Sequence, residues 1–183
     1  LLVRNHWLSA RGTPDRQGWN QFLQGLSSPP RDPELLWADL QAQAAANHLG
    51  TELFDQLLQL EGCQRVRRYL QHVQDHAAAT VRRLIDRFQD STFEVDLDNG
   101  ARLKLALKVD RKRQEALLNF CGTSPQGKHN FHAPLAVTKA AVLYVIRCLV
   151  EEPIPLNAGC FQPLTLIVPE GSLLNPSSPA AVV

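Results

Sequence analysis

Methionine is missing from the whole chain, position 1 included. Together with the proline-rich stretch before the closing Ala-Ala-Val-Val, this makes the chain read as a fragment of a longer protein, cut at both ends. An excess of either charge is lacking too. The 19 basic and 18 acidic side chains leave a net charge of +1, spread along the chain. That balance offers no footprint for nucleic acid or for an anionic membrane surface. Long hydrophobic runs are few. The longest, residues 135–150, is broken by Lys139 and Arg147 and is short for a bilayer span. The opening Leu-Leu-Val-Arg-Asn-His lacks the basic start and apolar stretch of a secretory signal. Neither nucleic acid nor membrane is expected as a partner.

Cysteine is sparse as well. Cys63, Cys121, Cys148 and Cys160 show neither the close pairs of a zinc site nor the density of a disulfide scaffold. Buried, reduced thiols are the expectation, and a cytoplasmic location goes with them.

What is present suffices for a core: 44% of the 183 residues are hydrophobic. Residues 1–32 are rich in Gly, Pro, Ser and Arg and read as an irregular opening segment, with a short helix near Trp19 to Leu26. Asp32-Pro33-Glu34 then combines an N-cap, a proline at the first helical position and an early acid, which together start a helix. Leu36, Leu40, Ala44 and Asn47 share one face of it. A pause is expected at Gly50, continuation through Leu53, Leu57 and Leu60, and a stop at Gly62. Val66, Tyr69, Leu70, Val73, Ala77, Val81, Leu84, Ile85 and Phe88 carry a second amphipathic helix. Two such helices across a short break predict an antiparallel pair.

The period then changes to two. Phe93, Val95 and Leu97, then Leu103, Leu105, Leu107 and Val109, flank Asp98-Asn99-Gly100, which predicts a β-hairpin with a tight Asn-Gly turn. Asp96 and Asp98 are expected to face solvent. Arg111-Lys112-Arg113 turns the chain into a third strand, residues 115–120. A polar, flexible loop follows over 121–134, and Pro134 opens a helix apolar on most sides, hence expected to be buried. A short strand at 164–168 closes the pattern. The class is α+β: a long antiparallel helix pair, an antiparallel β-meander, a buried helix and a further short strand, with 33–183 as one domain.

Few residues announce chemistry. His129 and His132 sit in a glycine-containing loop before the apolar helix, where imidazoles and free helix amides suit a ligand loop; an incidental surface turn is the plain alternative. His72 and His76 lie one helical turn apart, yet no third ligand accompanies them. Gly122-Thr123-Ser124 starts like a phosphate loop, but Gly127-Lys128 is followed by His129, not a hydroxyl residue.

Three segments, in order, resemble the hydantoinase B/5-oxoprolinase family. The first is Asp39-Leu40-Gln41-Ala42-Gln43 and its continuation to Asn47. The second runs from Gly122-Thr123-Ser124 through Asn130-Phe131-His132-Ala133-Pro134 and Val137-Thr138-Lys139-Ala140-Ala141 to Tyr144, with His132 where the family usually has Asn. The third joins Ile154-Pro155-Leu156-Asn157-Ala158-Gly159-Cys160 to Pro169-Glu170-Gly171-Ser172-Leu173-Leu174-Asn175-Pro176. The resemblance covers about residues 33–183.

It implies part of an ATP-dependent cyclic-amide hydrolase, acting on 5-oxoproline to give glutamate, a step of glutathione metabolism, or on a hydantoin. ATP with Mg2+ would be bound by an A-type subunit or fused domain, the expected partner within an oligomer, and the fragment alone would be inactive. Metal-ligating motifs of related carboxylases belong to the N-terminal part of such chains, so no metal is assigned here. The resemblance points to Asn130, Asn157 and Ser172 as substrate-binding candidates and to Glu170 and His132 as catalytic candidates, converging beside a lactam pocket. Turn-shaping roles are the alternative for all five. An acetone-carboxylase-type subunit fragment and a degenerate, non-catalytic interaction domain are the rival functions.

Overall fold

The structure is a computed structural model that describes residues 9–10, 13–26 and 29–182. The rest of the opening segment expected to be irregular lies outside the described residues. The chain divides into two compact units, Leu1–Val66 and Arg67–Val183, taken separately below.

In the first unit, β1 (Ser9–Ala10) pairs antiparallel with β2 (Thr13–Pro14). Asp15 then caps α1 (Arg16–Gln24) by accepting from the Gly18 amide at 2.9 Å. This helix lies inside the segment read as irregular, slightly earlier than expected. The Asp32-Pro33-Glu34 signal behaves as its chemistry dictates: Asp32 accepts from the Leu35 amide at 2.9 Å and α2 spans Pro33–Glu61. Trp19 of α1 stacks on Trp37 of α2 with ring centroids 5.9 Å apart, and Leu23 completes a small buried cluster. Gly50 does not interrupt α2. A mid-helix glycine costs only about 1 kcal/mol, less than breaking a run of backbone hydrogen bonds. Gly62, at φ 79°, stops the helix as expected.

The second unit holds most of α3 (Cys63–Ile85), a four-stranded sheet and α4 (Leu135–Leu149). The sheet order is β3 (Ser91–Asp96), β4 (Arg102–Asp110), β5 (Glu115–Asn119), β6 (Leu164–Ile167). β3, β4 and β5 form the expected antiparallel meander. β6 adds to β5 in parallel, with α4 inside the connection, because a parallel neighbour needs a long crossover.

The hairpin turn differs from the tight form. Leu97 and Ala101 are joined by a 2.7 Å hydrogen bond across three residues, and Gly100 alone has positive φ, 79°. That is a three-residue loop ending in a left-handed glycine; the glycine is used, one position later in the turn than expected.

Val81, Leu84 and Ile85 of α3, Val142 and Ile146 of α4, and Ala116, Cys160 and Leu164 form the core. Two expectations fail on burial. α4 is covered on one face only, by Thr138, Val142 and Ile146, while Val137, Tyr144, Val145 and Leu149 are exposed. The periodicity cannot say how many neighbours a helix finds. Likewise only Cys160 is a buried thiol; Cys63, Cys121 and Cys148 are exposed, lying on helix or loop faces turned from the core.

The outer face of the hairpin carries a charge ladder. Glu94 faces Lys104 and Asp96 faces Arg102 across the β3–β4 pair, with N–O distances of 2.5 and 2.6 Å. Asp96 and Asp98 are exposed as expected. The Lys104 hydrogen bond, then its charge, holds the Glu94 carboxyl below its usual range, and the Arg102 hydrogen bond does the same for Asp96. Lowered folded-state values mean stability that is present above the unfolded values and lost as pH falls through the folded ones. Amide-exchange protection of β3, corrected for intrinsic rates, is therefore expected to decline below about pH 4. The effect is modest, because the ladder is solvent-exposed. Unchanged protection down to about pH 2.5 would rule the ladder out as a contributor.

Candidate functional site

β5 and β6 run in parallel and end together, Asn119 opposite Ile167. The chain leaves both strands on the same side, into loops 120–134 and 168–182. Loops at the carboxyl ends of neighbouring parallel strands are the usual place for a site in sheets with crossover helices.

Here the two loops are sewn together. The Gln126 amide donates to Gly171 O at 2.8 Å, the Leu173 amide to Ser124 O at 2.9 Å and the Ala133 amide to Leu173 O at 2.9 Å. The Gln126 side chain accepts from the Ser177 amide at 2.7 Å and donates to the Ser177 carbonyl at 3.3 Å. Thr138, in the first turn of α4, donates its hydroxyl to Leu174 O at 2.7 Å. The other flank is tied to β4: Ser124 Oγ accepts from the Arg102 amide at 2.8 Å, and Thr123 Oγ1 from the Lys104 amide at 3.1 Å. The loop read as flexible is thus pinned on two sides, because its short polar side chains saturate backbone groups that would otherwise need water.

His132 lies at the centre, 2% exposed. Its Nε2 accepts from the Gly127 amide at 3.0 Å, which requires the ring proton on Nδ1, facing Ala181 O at 2.6 Å. His129 stacks on this ring at 4.4 Å. Both nitrogens of His132 are occupied, so the ring acts here as a brace between the loop and the C-terminal segment.

The remaining candidates separate into two places. Ser172 is buried, bridges to Pro125 and donates its hydroxyl to Pro169 O at 2.6 Å. Glu170 is exposed and accepts from Ser177 Oγ at 3.4 Å. Asn130 is exposed in the same loop as His132. These four share the carboxyl end of the parallel pair. Asn157 does not join them. It precedes β6, whose four residues span about 13 Å, and it caps the 3-10 turn Ala158–Phe161 by accepting from Gly159 N at 2.7 Å while donating to Val73 O at 3.4 Å.

Gln126, Thr138 and Ser177 do as much to build the site as any residue singled out from sequence. Their signal is faint: each is a lone polar residue in a turn or first helical turn, Gln126 and Ser177 bond each other across 51 positions, and Thr138 bonds Leu174 across 36. Among the described residues, no group of three or more His, Cys, Asp or Glu side chains could hold a metal ion. No helix of the described residues is long and apolar enough to cross a membrane.

This arrangement defines an α+β domain with a polar loop site at the open end of a parallel strand pair. Which family it comes from follows from comparison. The chain belongs to the hydantoinase B/oxoprolinase family, whose model matches residues 1–183. It is 41% identical over 152 residues to 5-oxoprolinase of Saccharomyces cerevisiae, and 41% identical over 162 residues to 5-oxoprolinase 1 of Arabidopsis thaliana. Each alignment covers 80% of this chain but only 12% and 13% of those proteins, so the chain spans about an eighth of their length. Among solved structures, the ATP-dependent caprolactamase of Pseudomonas jessenii matches with a TM-score of 0.72 at 22% identity, over the whole of this chain and 32% of that one. Acetone carboxylase in its nucleotide-free form matches with a TM-score of 0.75 at 14% identity, over 97% of this chain and 25% of that one. At these identities the structural likeness speaks for the fold alone.

Proposed function

We propose that this chain is part of an ATP-dependent cyclic-amide hydrolase of the 5-oxoprolinase type, and that it supplies a wall of the lactam site, not the nucleotide site. The observation that carries the reading is the pinned pair of loops. His132, Gln126, Thr138 and Ser177 are spent on fixing the backbone, while Glu170 and Asn130 stay open to solvent beside them. A ring amide needs a donor and an acceptor held rigidly at one place, and an exposed amide and carboxylate on a braced loop meet that need. Glu170 is the candidate base or proton carrier and Asn130 the candidate substrate contact, while His132 and the buried Ser172, whose hydroxyl is donated to Pro169 O, brace the loops that aim them. Asn157 belongs to a separate structural turn in this reading.

The residues present do not fit a nucleotide. The Gly127 amide, which a phosphate loop would offer to an anion, is taken by His132, and Lys128 is followed by His129. ATP with its Mg2+ is therefore assigned to an A-type subunit or fused domain, with this chain as one part of a cytoplasmic assembly. The 41% identity to two proteins named 5-oxoprolinases supports 5-oxoproline ahead of a hydantoin.

The test is ATP hydrolysis by the complete protein with its A-type part, with and without 5-oxoproline, hydantoin or caprolactam. Stimulation by 5-oxoproline, with glutamate released, is expected. Indifference to every cyclic amide, or incorporation of labelled bicarbonate instead, would overturn the reading.

A further inference from the structure

Two histidines of loop 120–134 are held in the neutral form by the backbone around them. His132 Nε2 accepts from the Gly127 amide at 3.0 Å, and His129 Nδ1 accepts from the Phe131 amide at 3.3 Å. An imidazolium carries a proton on both nitrogens and can accept from neither amide. The two rings also lie face to face, with centroids 4.4 Å apart and planes 18° from parallel. His129 crowds Gly127 as well: a Cβ there would sit 3.0 Å from Cδ2 and from Nε2 of its ring. Gly127, His129 and His132 thus form one knot, and His132 Nδ1 ties it to Ala181 O at 2.6 Å.

Acid attacks this knot at three points. A proton on His132 Nε2 would point at the Gly127 N–H, and a proton on His129 Nδ1 at the Phe131 N–H. The third point is the stack, where two cations repel. His132 is moreover 2% exposed, and a buried charge without a partner is driven out towards water. His48 on α2 has Glu52 at 3.2 Å, but among the described residues neither loop histidine pairs with a carboxylate. The other titratable groups of their loop are Cys121 and Lys128; α4 brings Lys139 in its first turns. Segment 168–182 brings Glu170 alone, which takes its hydrogen bond from Ser177 Oγ. On the hairpin, Glu94 and Asp96 are held by Lys104 and Arg102, which leaves Asp98 at the turn. Residues 177–182, the stretch that His132 ties down, carry no titratable side chain.

We infer that His129 and His132 form an acid-sensitive latch on the candidate site. The latch is closed while both rings are neutral, and it releases loop 120–134 from residues 177–182 when they take up protons. The open state binds more protons than the closed one, so the latch is secure above the ordinary imidazole range and weakens as pH falls through it. The latch is a property of this chain by itself. Only its effect on catalysis rests on reading these loops as a wall of the lactam site, because unlatching frees the backbone that carries Asn130 and Glu170.

Amide exchange of the 183-residue chain, followed by NMR at about pH 7.5 and about pH 5.5 and corrected for intrinsic rates, tests this. A freed imidazole titrates near about 6.5, so each proton taken up on opening raises the open population roughly tenfold between those conditions. Two protons give about 100-fold, expected at the Gly127 and Ser177 amides, whose acceptors lie inside the latch and across it. His129→Phe keeps a ring stacked on His132 but takes up no proton, so roughly tenfold should remain. His132→Leu is open under both conditions, so its Gly127 amide should exchange fast and change by less than about twofold. The β4–β5 ladder should keep its protection throughout, which separates unlatching from unfolding of the unit. An unaltered chain with no acid acceleration, one accelerated no more than His129→Phe, or acceleration that spreads to the β4–β5 ladder would each overturn the inference. Stimulation of ATP hydrolysis by 5-oxoproline is scored in a separate assay, so the latch and the lactam reading fail independently.

Discussion

Replacing Gly159 by alanine is expected to cost the second unit about 3 kcal/mol and to lower its melting temperature by roughly 10 °C. The glycine lies in the 3-10 turn Ala158–Phe161, pressed against the backbone of α3. A Cβ at this position would sit 2.1 Å from Gln74 O and 2.7 Å from Gln74 C. Those atoms belong to the middle of a long helix and cannot rotate aside as a side-chain end could. Relief requires moving the turn, and the turn is held in three ways: Asn157 caps it, Cys160 within it is fully buried, and β6 begins three residues after it. Gly171→Ala is the matched control. Its φ of 73° strains an alanine, but a Cβ there meets nothing within 4 Å, so about 1 kcal/mol is expected. Thermal melts followed by circular dichroism compare the two directly. Equal losses would mean that the close approach to Gln74 does not restrict this position.

The contrast between these glycines shows where a sequence can be read and where it cannot. Gly62 and Gly100 were legible, because each ends a periodic run and needs only local backbone freedom. The Asp32-Pro33 helix start, the period-two hairpin and the apolar run of α4 were legible for the same reason: neighbours within a few residues determine them. The constraint on Gly159 comes from Gln74, 85 positions earlier in the chain, and no local pattern encodes it. The site divides in the same way. Its residues were reachable through the resemblance, which picked out the segments around Asn130 and around Glu170. Their tasks were not, since whether a histidine in a polar loop is a ligand or a brace depends on which backbone groups surround it. The exposed face of α4 and the exposed thiols were missed for a related reason: hydrophobicity records what a residue tolerates, not what covers it.

His132→Leu tests the division of labour inside the site, and its expected cost is about 2 kcal/mol. Leucine fills a comparable space, so the buried position is not emptied, and the change isolates the two hydrogen bonds. Without Nε2 the Gly127 amide loses its acceptor, and without the Nδ1 proton Ala181 O loses its donor. The damage should be local. Amides of residues 126–133 and 177–182 are expected to exchange at least tenfold faster, and limited proteolysis should cut first within one of those two stretches. The β4–β5 ladder, whose pairing involves none of these atoms, should keep its protection. Asparagine at the same position is the sharper comparison, because its amide also carries both a donor and an acceptor. Its amide can replace one of the two contacts but is too short to span both, so His132→Asn should fall between the wild type and the leucine variant. Protection of 177–182 left intact by both substitutions would mean that Gln126 and Thr138 hold the loops alone. The imidazole would then be free for chemistry, and its place as a brace would have to be given up.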